Sequence, residues 1–436
     1  MLGIPVVDRS TQTIRHTPNR TTAIRRVAAL LLCLPTVIAC STAGAQEQTN
    51  DQILWSFRRR YQTLRIAAVG KLSPFAQWCR QAGLDRKAAM VQGDIRLIGQ
   101  GMRFPTPPTV TQPASRRSPT GNDAATYDAR FNKIYRGILR EYLALATWAA
   151  QRRLYGPADE VLLIAQSLSR MSPDIMAKAR SITADFPIRV MTFNVLNPRV
   201  SADKWGMERR KLVIQHCIEG LRPDIIATQE TSPQIVGHLK RSLPDDYRWI
   251  TMSSITKGKK KPGGITCAIL YNSRRFRARK PDYSLFNESM PTKSGGMGFG
   301  GKYYRMIIWA EFEPIGDAAD LAVPFVFYNT HLEPFARGSR TRAKQIRAIE
   351  EKILPLHGKD AVRVFAGDFN EGAAGVVGNT LRKHGFDGHW QVIDWILAAR
   401  PARIIQGRSI RFVEQTIPPS DHQPVIGYLL FGRRAP

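Results

Sequence analysis

Residues Ala361 to Glu371 read A-V-R-V-F-A-G-D-F-N-E, an apolar run that ends in a carboxylate and a carboxamide two positions apart. Val362, Val364 and Phe365 are β-branched or aromatic and Gly367 closes the run, so the stretch predicts a buried strand delivering Asp368 and Asn370 at its carboxyl end. On an extended backbone, residues two apart face the same side, and the two side chains are expected to converge. A carboxylate there can take the proton of an attacking water, and an amide N–H can hold a phosphate oxygen. An Asp-x-Asn turn with no chemistry would give the same pattern. Only the rest of the chain separates the two.

Past Pro187 similar runs recur, alternating with helical patterns, and each ends in polar residues. Ile188 to Val195 (I-R-V-M-T-F-N-V) carries Asn194, Met207 to Leu221 reads as a helix, and Asp224 to Thr228 leads into Gln229-Glu230. A carboxamide and a carboxylate at neighbouring strand ends suit a hard cation, because Mg²⁺ takes oxygen ligands, few of them from protein. Phe325 to Tyr328 presents Asn329-Thr330-His331. Val392 to Leu397 (V-I-D-W-I-L) sets Asp394 among apolar neighbours, and Ser420-Asp421-His422 precedes a last strand, Val425 to Phe431.

Taken in order, the blocks T-F-N-V, P-D-I-I-A-T-Q-E, N-T-H-L, G-D-F-N, I-D-W-I-L and S-D-H-Q-P-V resemble the endonuclease/exonuclease/phosphatase superfamily. That superfamily includes pancreatic deoxyribonuclease, abasic-site endonucleases, neutral sphingomyelinases and inositol polyphosphate phosphatases. The Trp205 to Arg209 stretch and the Gly295 to Trp309 stretch with its Arg305 look like a bacterial branch of it. The resemblance implies an α/β four-layer α-β-β-α sandwich, two mixed sheets face to face with helices outside. It also implies phosphoester hydrolysis with Mg²⁺, or Mn²⁺ or Ca²⁺, as cofactor.

By the same resemblance Glu230 would ligate the metal, with Asn194 beside it or on the phosphate and Asp421 nearby. Asp368 would orient the water, Asn370 would hold a phosphate oxygen, and His331 would contact the scissile phosphate. His422 would face the phosphate from the other side with its ring fixed by Asp394, while Arg305 would contact substrate. One departure concerns His331: relatives often support it with a Glu before A-I-L-Y, but Gly263-Gly264-Ile265-Thr266 carries no acid, so a looser His331 is expected. Another is Val392, where Arg commonly precedes I-D. The short interval between Asn370 and Asp394 predicts an open cleft.

The N-terminal part has a different character. Arg25 and Arg26 precede an apolar run, Val27 to Ala39, too short for a membrane span and followed by small residues, which is signal-peptide anatomy over 1–45. Two exits compete: Cys40 at the end of Val37-Ile38-Ala39-Cys40 as a lipid-anchor site, or cleavage after Ala43-Gly44-Ala45. Either implies export, to a secreted, periplasmic or envelope-anchored state, and no later stretch reads as a transmembrane helix. Cys79, Cys217 and Cys267 remain, an odd set that fits buried thiols better than a disulfide or zinc framework. Residues 46–103 read as helical, 104–123 as a Pro-rich linker and 124–187 as a helical hairpin, with 188–431 the catalytic domain. Ala144 to Asp174 resembles one tetratricopeptide unit and is expected to pack on the next domain or bind a protein partner.

Charge bears on substrate. The chain carries a formal +29 over 436 residues, spread over both parts, which favours a polyanionic partner and makes nucleic acid the leading substrate. Phospholipid headgroups or small phosphomonoesters are the enzymatic alternatives, and a polyanion-binding module without turnover is the non-enzymatic one. Lys257, Lys259, Lys260 and Lys261 form a basic loop, with Arg274, Arg275, Arg277, Arg279 and Lys280 soon after. Replacing the four lysines by Ser is expected to weaken binding of a polyanionic substrate and to flatten its salt dependence. A salt slope as steep as the parent's would contradict contact with phosphates.

Overall fold

The computed structural model describes residues 49–99, 121–197, 205–255, 266–294, 297–414 and 417–432. The address segment with Cys40, nearly all of the Pro-rich linker, and Lys257, Lys259, Lys260 and Lys261 lie outside the described residues. Among the described residues five helices come first: α1 (Asn50–Gln81), α2 (Asp85–Gly99), α3 (Gly121–Gln151), α4 (Tyr155–Leu168) and α5 (Pro173–Ile182). Strands begin at Ile188.

One sheet holds β1 (Ile188–Asn194), β2 (Ile225–Thr231), β3 (Tyr247–Ile250), β4 (Thr266–Asn272), β11 (Ala402–Ser409) and β12 (Val425–Phe431). Its order is β11-β12-β1-β2-β4-β3. The other holds β5 (Phe276–Leu285), β6 (Met306–Pro314), β7 (Phe325–His331), β8 (Val362–Asp368), β9 (Phe386–Gln391) and β10 (Asp394–Ala399), in the order β5-β6-β7-β8-β10-β9. Both are mixed, with β1 parallel to β2 and β7 parallel to β8 among antiparallel neighbours. Those strands lie at the centre, and β1 and β7 are buried along their whole length. Both faces are covered, so even the polar positions of the alternating β1 stretch, Arg189, Thr192 and Asn194, are buried.

Three cores separate four layers. Val190, Ala227, Ile308, Phe327, Val364 and Ile396 fill the space between the sheets. On the outer face of the second sheet, Tyr328, Phe365 and Trp395 pack under α8 (Ser339–Ala348) and α9 (Val376–Lys383), together with Ile346 and Leu381. On the outer face of the first sheet, Met191, Phe193, Ile426 and Tyr428 share one core with α4, α6 (Met207–Leu221), α7 (Pro233–Ser242) and the N-terminal helices. The architecture is therefore the α-β-β-α sandwich with an N-terminal helical region built onto one of its outer layers.

The helical pattern of the sequence has its reason in that core. Phe57, Tyr61, Ala68 and Leu72 of α1 face inward, and Ala146 and Ala158 are fully buried where α3 and α4 pack. α4 is buried almost all round because it lies between α3 and the strands β11 and β12. Cys79, Cys217 and Cys267 are free and buried. Among the described residues, no helix is long and apolar enough to cross a membrane.

A buried polar contact joins this helical layer to the sheet. The Tyr428 hydroxyl donates to Asp159 Oδ2 at 2.5 Å, and Arg189 Nη1 lies 3.6 Å from Asp159 Oδ1. Burial raises the Asp159 pKa to about 6, against the pull of Arg189 and Tyr428. Asp159→Ala leaves a buried guanidinium and a buried hydroxyl short of their partner, so a loss of about 3–5 kcal/mol is expected in urea unfolding; a loss below about 1 kcal/mol would contradict this account of the contact.

Candidate active site

The site forms where strand ends from both sheets meet. In the second sheet Asp368 is paired in register with His331 on one side and with Asp394 on the other, so three functional side chains stand at one level. Gly367 makes this possible: a Cβ there would lie 2.3 Å from the Thr330 carbonyl oxygen, and only glycine lets β7 and β8 approach so closely. In the first sheet Asn194 pairs with Gln229 across the parallel strands. The register of β2 on β4 shifts between Thr228 and Thr231, and Glu230 takes a positive φ of 57°. The bulge re-aims Glu230, which a regular strand would not do.

Asp368 is 1% exposed and receives hydrogen bonds from both sheets. Asn194 Nδ2 donates to Asp368 Oδ2 at 3.1 Å and reaches Glu230 Oε1 at 3.3 Å. His331 Nε2 lies 3.3 Å from Asp368 Oδ2, and the Asn370 backbone N–H donates to Asp368 Oδ1 at 3.0 Å. From the loop before β12, His422 Nδ1 donates to Asp394 Oδ2 at 2.9 Å and stands 3.9 Å from Asp368 Oδ2. Glu230 Oε2 accepts from the Asn197 N–H at 2.9 Å.

Several side chains lie differently from the sequence expectation. The chain leaves the extended state after Asp368, and Asn370 has φ 51°, so it does not face the same way by strand alternation. One N–H of its Nδ2 donates to the Leu332 carbonyl at 3.0 Å, which fixes the amide and leaves its second N–H outside that bond. Asn194 Oδ1 accepts from the Leu196 N–H at 3.1 Å, so the side chain presents its amide N–H groups, not its oxygen, to the carboxylates. Arg305 is 4% exposed, with Nη1 3.1 Å from His331 Nδ1. His331 thus has a firm partner despite the missing acid. Asp421 is exposed and accepts from the Ser420 hydroxyl at 3.1 Å, beside His422. Val392 is not in a strand but in the β9–β10 turn, 71% exposed with φ 45°.

The second basic cluster is accounted for elsewhere. Arg275 pairs with Asp224 at 2.6 Å, Arg279 with Glu313 at 2.6 Å, and Lys280 with Glu311 at 3.0 Å. Phe276 is registered with Pro314, whereas the site end of these strands pairs Leu285 with Met306. Arg275, Arg279 and Lys280 are thus paired with acids away from the site end of these strands.

Two supports had no motif to mark them. Arg210 is fully buried and donates to the carbonyls of Val195 at 2.9 Å, Leu196 at 2.9 Å and Pro419 at 3.0 Å, joining the loop after β1 to the loop that carries His422. The available signal was an Arg on the apolar face of α6, in step with Val213, Ile214 and Cys217. Below the site, Gln229 Nε2 donates to Asn329 Oδ1 at 2.9 Å, and Asn329 Nδ2 donates to the carbonyls of Thr228 at 2.9 Å and Ala268 at 2.8 Å. That amide pair ties the two sheets together.

The donor set fits a divalent cation. Asp394 Oδ1 is buried without a hydrogen-bond partner, and Asp368, Asp394 and His422 bring ligand-type atoms within 4.8 Å of one another, although the His422 ring offers a lone pair only in its neutral form. Glu230 adds a partly exposed carboxylate on the other side of Asn194. Such oxygen-rich, anionic surroundings suit a hard cation that keeps some of its water. Burial, and then the neighbouring Asp394, push the Asp368 carboxyl upward from its usual range. Burial works against a charged His422, but Asp394, Asp368 and Asp421 outweigh it and raise its pKa to about 9. Its cationic form therefore persists through neutral pH and is lost as pH rises past about 9. Asp394→Asn removes the largest stabilising partner of the cation, so the alkaline fall of any turnover at this site is expected to move to lower pH; an unmoved limb would contradict His422 as the titrating group.

Residues 191–422, more than half of the chain, match the family described as Endonuclease/Exonuclease/phosphatase family. A search of curated proteins found no match. Among solved structures, an endonuclease/exonuclease/phosphatase family protein from Bacteroides thetaiotaomicron is 22% identical with a TM-score of 0.47, over 57% of this chain and 98% of that one. A mannosyl-6-phosphatase from the same organism is 23% identical with a TM-score of 0.47, over 56% of this chain and 100% of that one. The human Nocturnin catalytic domain with bound sulfate is 19% identical with a TM-score of 0.45, over 57% of this chain and 94% of that one. With its six strand-end motifs gathered around Asp368 and the family match spanning them, the chain belongs to the endonuclease/exonuclease/phosphatase family.

Proposed function

We propose that the protein is a divalent-metal-dependent phosphodiesterase, with nucleic acid as its substrate. The observation that carries this reading is the Asp368 carboxylate, held by Asn194 and His331 and facing the His422–Asp394 pair. In its ionised form Asp368 accepts the proton of a water attacking phosphorus. His422, a cation fixed by Asp394, faces the phosphate, lowers its negative charge and can return a proton to the leaving oxygen. Asn194 spaces Asp368 from Glu230 and holds both carboxylates.

Glu230 would hold the cation, with Asn194 beside it and Asp421 nearby. A bound Mg²⁺ supplies positive charge to a phosphodiester that is itself anionic and therefore resists nucleophiles. The preference for nucleic acid rests on the formal charge of +29. We also propose export, on the basis of the Arg25 to Ala45 segment, with a lipid anchor at Cys40 or release after Ala45.

The test is a hydrolysis panel of plasmid DNA, RNA, sphingomyelin vesicles, inositol phosphates and a chromogenic diester, each with Mg²⁺ and with chelator. The reading predicts Mg²⁺-dependent cleavage of DNA or RNA, abolished by chelator and reduced about a hundredfold or more by Asp368→Asn. Turnover of sphingomyelin or a phosphomonoester alone would move the substrate class. Turnover of none would leave a polyanion-binding module on this fold.

A further inference from the structure

Arg305 immediately precedes β6, is 4% exposed, and places Nη1 3.1 Å from His331 Nδ1. A guanidinium has N–H donors, no acceptor, and keeps its charge at any working pH. The contact therefore has one direction: Arg305 donates, and His331 Nδ1 supplies the lone pair. A neutral imidazole carries a single ring proton, which is then on Nε2, the nitrogen 3.3 Å from Asp368 Oδ2.

We propose that Arg305 is a positioning residue that fixes His331 as the Nε2–H tautomer, a neutral hydrogen-bond donor aimed at Asp368 and the reacting phosphate. Independent features agree. His331 is 3% exposed at the end of β7 and directly opposite Asp368 in register, so its ring has little room to turn.

The consequence is a division of roles between two histidines that face one carboxylate. His422 gives its Nδ1–H to Asp394 and carries the mobile proton, whereas His331 accepts at Nδ1 and cannot act as an imidazolium. An acid in place of Arg305 would reverse this, drawing the proton to Nδ1 and turning a bare Nε2 lone pair toward Asp368.

The catalytic half of this inference rests on the phosphodiesterase reading; the tautomer half does not. The direct measurement is long-range ¹H–¹⁵N correlation NMR on ¹⁵N-histidine-labelled full-length protein near neutral pH without substrate, with His331→Gln used to assign the ring. The parent is expected to show Nδ1 as a lone-pair nitrogen and Nε2 as N–H. An Nδ1–H tautomer or an imidazolium in the parent overturns the proposal by itself, whether or not the protein turns over substrate. Arg305→Lys, which keeps a donor and no acceptor, is expected to preserve the tautomer. Arg305→Met should release it to a mixture and lower kcat about 10- to 100-fold with little change in KM, as loss of an orienting partner does. Equal kcat losses in the Lys and Met variants with the His331 tautomer unchanged in both would show a merely structural Arg305, and would also overturn the proposal.

Discussion

A carboxylate that is 1% exposed between two sheets has lost nearly all of its water, and every element around Asp368 can be read as compensation for that. N–H donors come from Asn194 in one sheet, and from His331 and Asn370 in the other. The nearby His422 ring carries positive charge because Asp394 holds it in place. Replacing any one donor leaves the others to hold a buried anion, which is why the sheets must meet in one register. The buried Gln229–Asn329 amide pair and the Arg210 contacts with Val195, Leu196 and Pro419 secure that register from beneath and from the side.

Much of this was legible in the sequence because strand ends announce themselves. The run before Asp368 and the run after His422 became β8 and β12, and Met207 to Leu221 became α6 with no change of boundary. What alternation could not give was local irregularity. Glu230 is delivered by a bulge, Asn370 by a left-handed turn and Val392 by a hairpin tip, all with positive φ at non-glycine residues. Period-two reasoning assumes none of these. Hydrogen-bond direction was equally invisible: nothing in the T-F-N-V block says that Asn194 Oδ1 belongs to the Leu196 N–H. Arg277, Arg279 and Lys280 stand out in the sequence as charge alone, because sequence does not show the Glu311 and Glu313 side chains across the hairpin.

The N-terminal helices add a layer of support to the same architecture. They share a core with the outer face of the first sheet, and Asp159, Tyr428 and Arg189 anchor them to it through a buried polar contact. Ser167 of α4 and His216 of α6 both bind Glu414, which lies on the segment between β11 and β12 that also carries His422. α4 packs on β11, β12 and α6, and α1 and α3 share its core, which accounts for the apolar faces of all three helices.

The central claim is that the anionic cluster works with a divalent cation held at Glu230, and the Mg²⁺ dependence of Glu230→Gln tests it most directly. The substitution keeps size and removes the charge, and its one amide oxygen still accepts from one of the two N–H donors, Asn194 Nδ2 or the Asn197 N–H, that Glu230 takes with its two oxygens. The account predicts an intact fold with cooperative thermal unfolding in the absence of metal, and a Mg²⁺ concentration for half-maximal hydrolysis raised by more than about tenfold, since even an outer-shell partner of a metal is worth about that much. A Glu230→Gln protein with the parent's Mg²⁺ dependence would contradict it.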